Sequence, residues 1–182
     1  RYTFTMPDSK VEVEVSFVKT GETVQEPDTM TFSDVKAGDW FYDAVLYAYE
    51  NGLMSGTGAA AFSPNQTLTR AMVAQVLYSM EGAPAGGTSA FTDVAAGTWY
   101  ASAVNWAAAN GVVSGYGDGT FGPNDNVTRE QVAMILYSFA KSKGYDVSEK
   151  ASLSSFADMS SVSTYAQEAM SWAAGAGLIS GM

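Results

Sequence analysis

The chain has 182 residues, 47% of them apolar and 13% aromatic, which is enough to bury a core. It has 19 acidic and nine basic residues and neither histidine nor cysteine, which excludes Ser-His-Asp and Cys-His sites, zinc fingers and thiol redox centres. The formal charge of −10 argues against nucleic acid and anionic membranes as partners. No apolar run approaches the roughly 20 residues of a membrane-spanning helix, and no metal or cofactor is expected.

The N-terminal residues have the pattern of a β-strand. Apolar and polar side chains alternate over residues 11–17, as in a half-buried strand. A single hairpin is not stable alone, so we interpret residues 1–20 as the end of an upstream β-domain and residues 21–31 as a linker. Because Arg1 does not begin a basic and apolar leader, we expect a fragment of a longer exported protein.

The rest of the chain contains an internal repeat. A shift of 59 positions superimposes identical residues of two units without a gap. In the first unit these residues are Phe32, Asp34, Trp40, Asn51, Gly52, Ser55, Gly56, Phe62, Pro64, Asn65, Thr69, Arg70 and Tyr78. A third unit follows, shifted from the second by 65 positions at Phe156 and by 66 positions at Trp172. Up to Met182, only the first half of this unit is present.

Each unit is predicted to fold as helix, loop and helix. Asp39 and Thr98 stand where the first helices need N-caps. Gly52, Gly111 and Gly177 are expected to end these helices, because glycine tolerates the left-handed conformation at that position. We therefore expect a mainly α-helical bundle with a short N-terminal β-segment.

The second helices also have recognisable start signals. Thr69 and Thr128 are predicted N-caps, and Gln131 could complete a capping box with Thr128. Between the two helices, Asp118 in residues 116–121 belongs to an Asp-Gly pair typical of a tight turn. A calcium loop is disfavoured there because further acidic ligands are missing.

Polar or glycine-rich segments separate the units. The units and their linkers, in chain order, are residues 32–80, 81–90, 91–141, 142–155 and 156–182. In the third unit, the apolar helix face with Ala169 and Trp172 is expected to lack a partner helix.

Five motifs hold their spacing in the first two units: Phe-x-Asp-Val, Trp followed by Phe or Tyr, Asn-Gly-x-x-Ser-Gly, Gly-x-x-x-Phe-x-Pro-Asn, and Thr-Arg. This series resembles the S-layer homology domain, which usually occurs in three copies, and residues 2–7 resemble the end of a bacterial surface β-repeat. The resemblance implies a pseudo-threefold helical assembly outside the cell. It also implies binding of secondary wall polysaccharides, often with a pyruvate ketal on an amino sugar, that holds exported proteins on Gram-positive walls.

The resemblance also implies which residues bind the ligand. They are Asp34, Trp40, Gly56 and Arg70 in the first unit, Asp93, Trp99, Gly115 and Arg129 in the second, and Asp158 in the third. Thr164 stands at the tryptophan position of the third unit. The groove between the first two units is expected to be the most complete.

The two repeated arginines have two possible roles. Arg70 and Arg129 follow helix N-caps, where a cation faces the positive end of the helix dipole and needs compensation. The compensating group is either a ligand carboxylate held bidentately or a protein acid, such as Asp34, Asp93 or Asp158, that links neighbouring units.

The repeated tryptophans and glycines are open to two interpretations as well. Trp40 and Trp99 could stack on a sugar or pack the first helices, whereas Trp106 and Trp172 are expected to lie in the core. The glycines of the Ser-Gly motif could admit a ligand or serve only the loop.

Three functions remain at this point. The first is a wall-polysaccharide anchor for an upstream domain. The second is a structural subunit that assembles into a lattice or filament, with its strand or its third unit completed by a neighbouring molecule. The third is a glycosidase, which is disfavoured because the repeats single out no pair of acids.

Overall fold

The computed structural model describes residues 30–85, 87–88 and 91–180. The chain divides into residues 1–30 and 31–182, and the expected β-segment at residues 1–20 lies outside the described residues. The helices are α1 (Tyr42–Glu50), α2 (Arg70–Met80), α3 (Ala101–Ala109), α4 (Arg129–Ser142) and α5 (Gln167–Gly175). Three single turns of 3₁₀-helix lie at Leu153–Ser155, Met159–Ser161 and Thr164–Ala166. The described part contains isolated β-bridges but no strand, so it is α-helical as expected.

The first helices begin later than the sequence predicts. The N-cap of α1 is Phe41 and that of α3 is Tyr100, and neither has a capping side-chain bond. The Asp39 carboxylate accepts instead from the Lys36 N–H at 2.8 Å, and the Thr98 hydroxyl donates to the Ala95 carbonyl. The N-cap prediction was therefore wrong, because these polar side chains stabilise the turn that precedes each helix.

The predicted helix ends and second-helix caps are confirmed. Gly52, Gly111 and Gly177 directly follow the C-caps of α1, α3 and α5, and their φ angles are +65°, +67° and +70°. The Thr69 hydroxyl accepts from the third N–H of α2, and Thr128 forms a complete capping box with Gln131.

Each second helix packs on the first helix of the next unit. The main contacts between helices are those of α2 with α3 and of α4 with α5. The first pair shares a core with Leu77, Val104 and Phe121, and the second pair shares one with Ala169 and Trp172. The expectation that Ala169 and Trp172 lack a partner was therefore wrong. Among the described helices it is α1 that has no comparable partner.

The start of α2 also rests on the loop of the second unit. The Arg70 N–H donates to the Asp125 carbonyl at 2.9 Å, and the Ala71 N–H donates to the Pro123 carbonyl at 3.1 Å. The N–H groups that a helix leaves unpaired in its first turn are thus satisfied by a neighbouring unit. No helix of the described residues has the length and apolar character needed to cross a membrane.

Candidate functional site

Arg70 is a buried bridge between the first two units. Its side chain is 6% exposed, and its Nε and Nη2 atoms donate to the carbonyls of Phe121 and Ser114 at 2.8 and 2.9 Å. The guanidinium lies 4.7 Å from the ring centroids of both Tyr116 and Phe121. Arg70 therefore joins the two units through backbone carbonyls, and it forms no ion pair with an aspartate in the described part of the chain.

Arg129 has the same register but a different environment. Its Nη2 atom donates to the Ser180 carbonyl at 2.6 Å, which matches the bond from Arg70 to Ser114. Arg129 is nevertheless exposed, and this is the one hydrogen bond of its side chain within the described part of the chain. The N–H groups of Arg129 and Glu130 have no acceptor among the described residues, whereas Asp125 and Pro123 accept from the start of α2.

Asp34 and Asp93 hold the loops of their own units. The Asp34 carboxylate accepts from the N–H groups of Phe62 and Ser63 at 2.9 and 2.8 Å, and these bonds lower its pKa. Asp93 accepts from the N–H groups of Phe121 and Gly122, both at 2.8 Å. Burial raises the pKa of Asp93, but the two bonds outweigh it, so the pKa lies below its ordinary value.

These bonds join the predicted site residues into one bridge. Asp93 holds the N–H of Phe121, and Arg70 holds the carbonyl of the same residue. The two charged side chains therefore fix opposite edges of one peptide segment without contacting each other as an ion pair. Both act on the position of the loop, and both are occupied by protein groups.

The lowered carboxylate pKa values predict acid sensitivity. A carboxyl whose folded pKa is depressed stabilises the fold above its unfolded pKa, near 4, and this contribution is lost as the pH falls through the folded value. We expect the melting temperature of the full chain to fall below about pH 4. In the Asp93→Asn variant, the melting temperature should differ less between about pH 7 and about pH 3 than it does in the unmodified chain. Thermal melts followed by circular dichroism measure this difference.

The matched control for this pH experiment is Glu149→Gln. Glu149 is exposed and has no hydrogen bond or ion pair in the described part of the chain, so its removal should leave the pH difference unchanged. If the melting temperature of the Asp93→Asn variant changed with pH as much as that of the unmodified chain, the Asp93 carboxylate would not be a source of the acid sensitivity.

The repeated tryptophans are exposed aromatic surfaces. Trp40 is 94% exposed and Trp99 is 59% exposed, and each makes an edge contact with the aromatic residue that follows it. Trp99 also lines a cavity of about 940 Å³ whose other walls come from the first unit. Trp106 and Trp172 are buried in the two cores, as predicted.

The Ser-Gly glycines are required by packing within their own units. A Cβ atom on Gly56 would lie 2.6 Å from the Ala61 carbonyl oxygen and 2.8 Å from the Phe32 ring. A Cβ atom on Gly115 would lie 2.6 Å from the Phe91 ring. The position of a Cβ atom at each of these glycines is thus occupied by the protein, and Gly56 also lines the cavity of about 940 Å³.

The third unit keeps the aromatic residue that the sequence comparison missed. Because the N-caps of α3 and α5 are Tyr100 and Ala166, the residue equivalent to Trp99 is Tyr165. The assignment of Thr164 to this position was therefore wrong. The signal was the shift of 66 seen at Trp172 in the sequence, which already applies at the start of the helix.

Glu130 connects this tyrosine to α4. Its carboxylate accepts from the N–H and hydroxyl of Ser163, both at 2.9 Å, and from the Tyr165 hydroxyl at 3.1 Å. These bonds, chiefly the one from the Ser163 N–H, lower the pKa of Glu130. Asp158 is exposed, and its carboxylate has no hydrogen-bond partner among the described residues. Those residues contain no group of three potential metal-ligating acids.

The helices and their bridges define an α-helical repeat protein with charged residues at the junctions of its units. The family model of the S-layer homology domain matches residues 31–72, 90–133 and 155–182, which is more than half of the chain. The chain therefore belongs to the S-layer homology family. The model does not extend over residues 1–30, and the expected β-repeat remnant there is not supported.

Several curated proteins share this region. The chain is 33% identical over 140 residues to an endoglucanase of Bacillus sp. (strain KSM-635), covering 76% of the chain and 15% of that protein. It is 30% identical over 146 residues to a surface-layer 125 kDa protein of Lysinibacillus sphaericus, covering 80% and 12%. It is 32% identical over 108 residues to the S-layer protein sap of Bacillus anthracis, covering 58% and 13%. The chain thus spans at most 15% of the length of these relatives.

The family and the relatives together give the location and the general role. The shared region occurs in S-layer proteins and in proteins with enzyme names, so it is common to proteins that differ in the rest of their length. The chain is a cell-surface module of the wall-anchoring type.

Proposed function

We propose that the repeats hold an exported protein on the cell wall by binding an acidic wall polysaccharide, such as one that carries pyruvate ketals on an amino sugar. The observation that carries this proposal is the guanidinium of Arg129 at the start of α4, which is exposed in the part of the chain that the structure describes. The membership of the chain in the S-layer homology family supports the anchoring role.

The start of α4 has the donors that a carboxylate needs. Arg129 donates one bond to Ser180 and presents its remaining N–H groups to solvent. The N–H groups of Arg129 and Glu130 add further donors, and the helix dipole favours an anion at this end. A planar guanidinium binds a carboxylate through two parallel hydrogen bonds, so a ketal carboxylate suits this position.

The neighbouring acid, Glu130, forms no ion pair with Arg129 in the described part of the chain. The Glu130 carboxylate is occupied by its three bonds to Ser163 and Tyr165. The exposed Tyr165 ring lies beside it and is a surface on which the apolar face of a sugar can stack. Trp99 offers the same kind of surface at the preceding junction, whereas Arg70 there is buried.

We propose further that the module binds without cleaving its ligand. The repeated acids Asp34 and Asp93, together with Glu130, are each engaged by protein N–H groups in the described part of the chain. The ligand roles of the other predicted site residues also remain predictions, and these are Asp34, Trp40, Gly56, Arg70, Asp93, Trp99, Gly115 and Asp158. Incubation of the full chain with wall glycan should release no reducing ends.

The central experiment is isothermal titration calorimetry of the full chain with purified wall polysaccharide. We expect Arg129→Ala to weaken binding by about tenfold or more, because a charged bidentate contact is lost. Removal of the pyruvate ketals should cause a similar loss, and the two losses should not add, since they delete the same contact.

The matched control is Lys36→Ala, which removes an exposed cation remote in sequence from α4 and should leave affinity unchanged. Equal affinity of the Arg129→Ala variant and the unmodified chain, with and without ketals, would reject the proposal.

A further inference from the structure

The Asn-Gly pair of the repeated motif forms the C-terminal end of the first helix in two units. Asn51 and Asn110 are the C-caps of α1 and α3. The side-chain amide of Asn51 donates to the Tyr47 carbonyl at 2.8 Å. That of Asn110 donates to the Trp106 carbonyl, also at 2.8 Å. Ala176 is the C-cap at the equivalent end of α5, so the fold does not require asparagine at this position.

An asparagine followed by glycine is chemically labile in a flexible chain. The backbone nitrogen of the glycine can attack the side-chain carbonyl carbon of the asparagine, because no Cβ atom on the glycine hinders the approach. A bond forms between this nitrogen and the asparagine Cγ, and the bond from Cγ to the amide nitrogen breaks. The amide nitrogen leaves as ammonia and takes the proton of the glycine N–H. Water then opens the cyclic imide to aspartate or isoaspartate, so the reaction needs no reagent other than water.

The folded helix ends oppose this attack. The Gly52 N–H donates to the Tyr49 carbonyl at 3.0 Å. The Gly111 N–H donates to the Ala108 carbonyl at 3.1 Å. The ψ angles of the two asparagines are 9° and 7°, and this rotation turns the glycine nitrogen away from the asparagine side chain. Because the side-chain amide is also held by the helix, the reaction requires the last helical turn to open first.

We propose that Asn51 and Asn110 are sites of spontaneous deamidation, which the folded ends of α1 and α3 protect and which react when these ends open. The product carboxylate cannot donate to the helix carbonyl, and it places a negative charge at the negative end of the helix dipole. Isoaspartate also adds a carbon atom to the backbone between the C-cap and the left-handed glycine. Modification therefore prevents the helix end from forming again and makes unfolding progressively irreversible.

The first test compares the two asparagines in the folded and the unfolded full chain. The chain is incubated in buffer and in urea above its unfolding midpoint, at the same pH and temperature. Trypsin cleaves after Lys36, Arg70 and Arg129, so the two asparagines lie in separate peptides for mass spectrometry. We expect both to deamidate at least about tenfold more slowly in the folded chain. Equal rates in the two states, or no reaction of either asparagine in urea, would overturn the proposal.

The variant Gly52→Ala tests which atom attacks. In urea it should slow the deamidation of Asn51, because a Cβ atom hinders the backbone nitrogen, and it should leave the rate at Asn110 unchanged. The strain of alanine at a positive φ does not enter, since the chain is unfolded. Asn65, which precedes Gln66, is the internal control and should react slowly with or without urea. If Gly52→Ala left the rate at Asn51 unchanged, the glycine nitrogen would not be the nucleophile and the proposal would fail.

The effect on refolding is measured with the double variant Asn51→Ala and Asn110→Ala, which copies the natural C-cap of α5. Both chains are held in urea for increasing times and refolded, and the recovered amplitude of the thermal melt is followed by circular dichroism. Recovery of the unmodified chain should fall in step with its deamidated fraction, whereas recovery of the double variant should stay constant. An equal fall in both chains, or a constant recovery of the deamidated chain, would overturn the proposal. Neither measurement uses polysaccharide, so the result is independent of ligand binding at Arg129.

Discussion

Replacing Arg70 with alanine should lower the free energy of unfolding by about 3 to 5 kcal/mol. The side chain is buried, bonds to two carbonyls of the second unit and lies against two aromatic rings. Its removal leaves the carbonyls of Ser114 and Phe121 without their donor and opens a space between Tyr116 and Phe121. For a chain of this size the melting temperature should fall by roughly 6 to 20 °C, as measured by circular dichroism.

The second unit contains the natural control. Arg129→Ala alters the same register but removes an exposed side chain with one backbone bond, so it should cost less than about 1 kcal/mol. Arg70→Met keeps an apolar side chain between the two rings. Its free energy of unfolding should therefore lie between those of the alanine variant and the unmodified chain. If Arg70→Ala and Arg129→Ala lowered the free energy of unfolding equally, the difference in burial between the two arginines would have no effect on stability.

Much of the fold was accessible from the sequence because its signals are local. The repeat period, the left-handed glycines after the first helices and the threonine caps of α2 and α4 each depend on a few neighbouring residues. The failed caps at Asp39 and Thr98 show the limit of this reasoning. Both residues are good cap formers, but the backbone makes a turn first, and their side chains bond within that turn.

The roles of the two arginines could not be separated by sequence. Arg70 and Arg129 occupy identical positions in their units, but the fate of Arg70 is decided by Phe121, which is 51 residues away. A contact of this range depends on how one unit packs on the next, and no local pattern encodes it. The same holds for Asp93, whose type suggested an ion pair with arginine and whose carboxylate instead holds loop N–H groups.

The helix without a partner was also misplaced for a physical reason. The sequence predicted that the helix with Ala169 and Trp172, which is α5 of the third unit, would have no partner helix. Because each second helix covers the first helix of the following unit, α5 is covered by α4. Among the described helices, the one without such a partner is therefore α1. Direction of packing between repeats is a tertiary property, which the period alone does not contain.

Truncation of the repeated aromatic residue should show this direction of packing as a difference in stability. Trp106→Ala and Trp172→Ala should each lower the free energy of unfolding by about 3 to 5 kcal/mol. Each substitution removes a buried indole and its contact with Tyr78 or Tyr137. Thermal and urea denaturation of the full chain, followed by tryptophan fluorescence and circular dichroism, would measure both losses.

The decisive comparison is Tyr47→Ala, at the equivalent position of α1. Because Tyr47 is largely exposed, its truncation should change the free energy of unfolding by less than about 1 kcal/mol. A large loss for Tyr47→Ala in the unmodified chain would mean that α1 is already covered, whereas small losses at Trp106 and Trp172 would mean that the two second helices do not hold the following units in place.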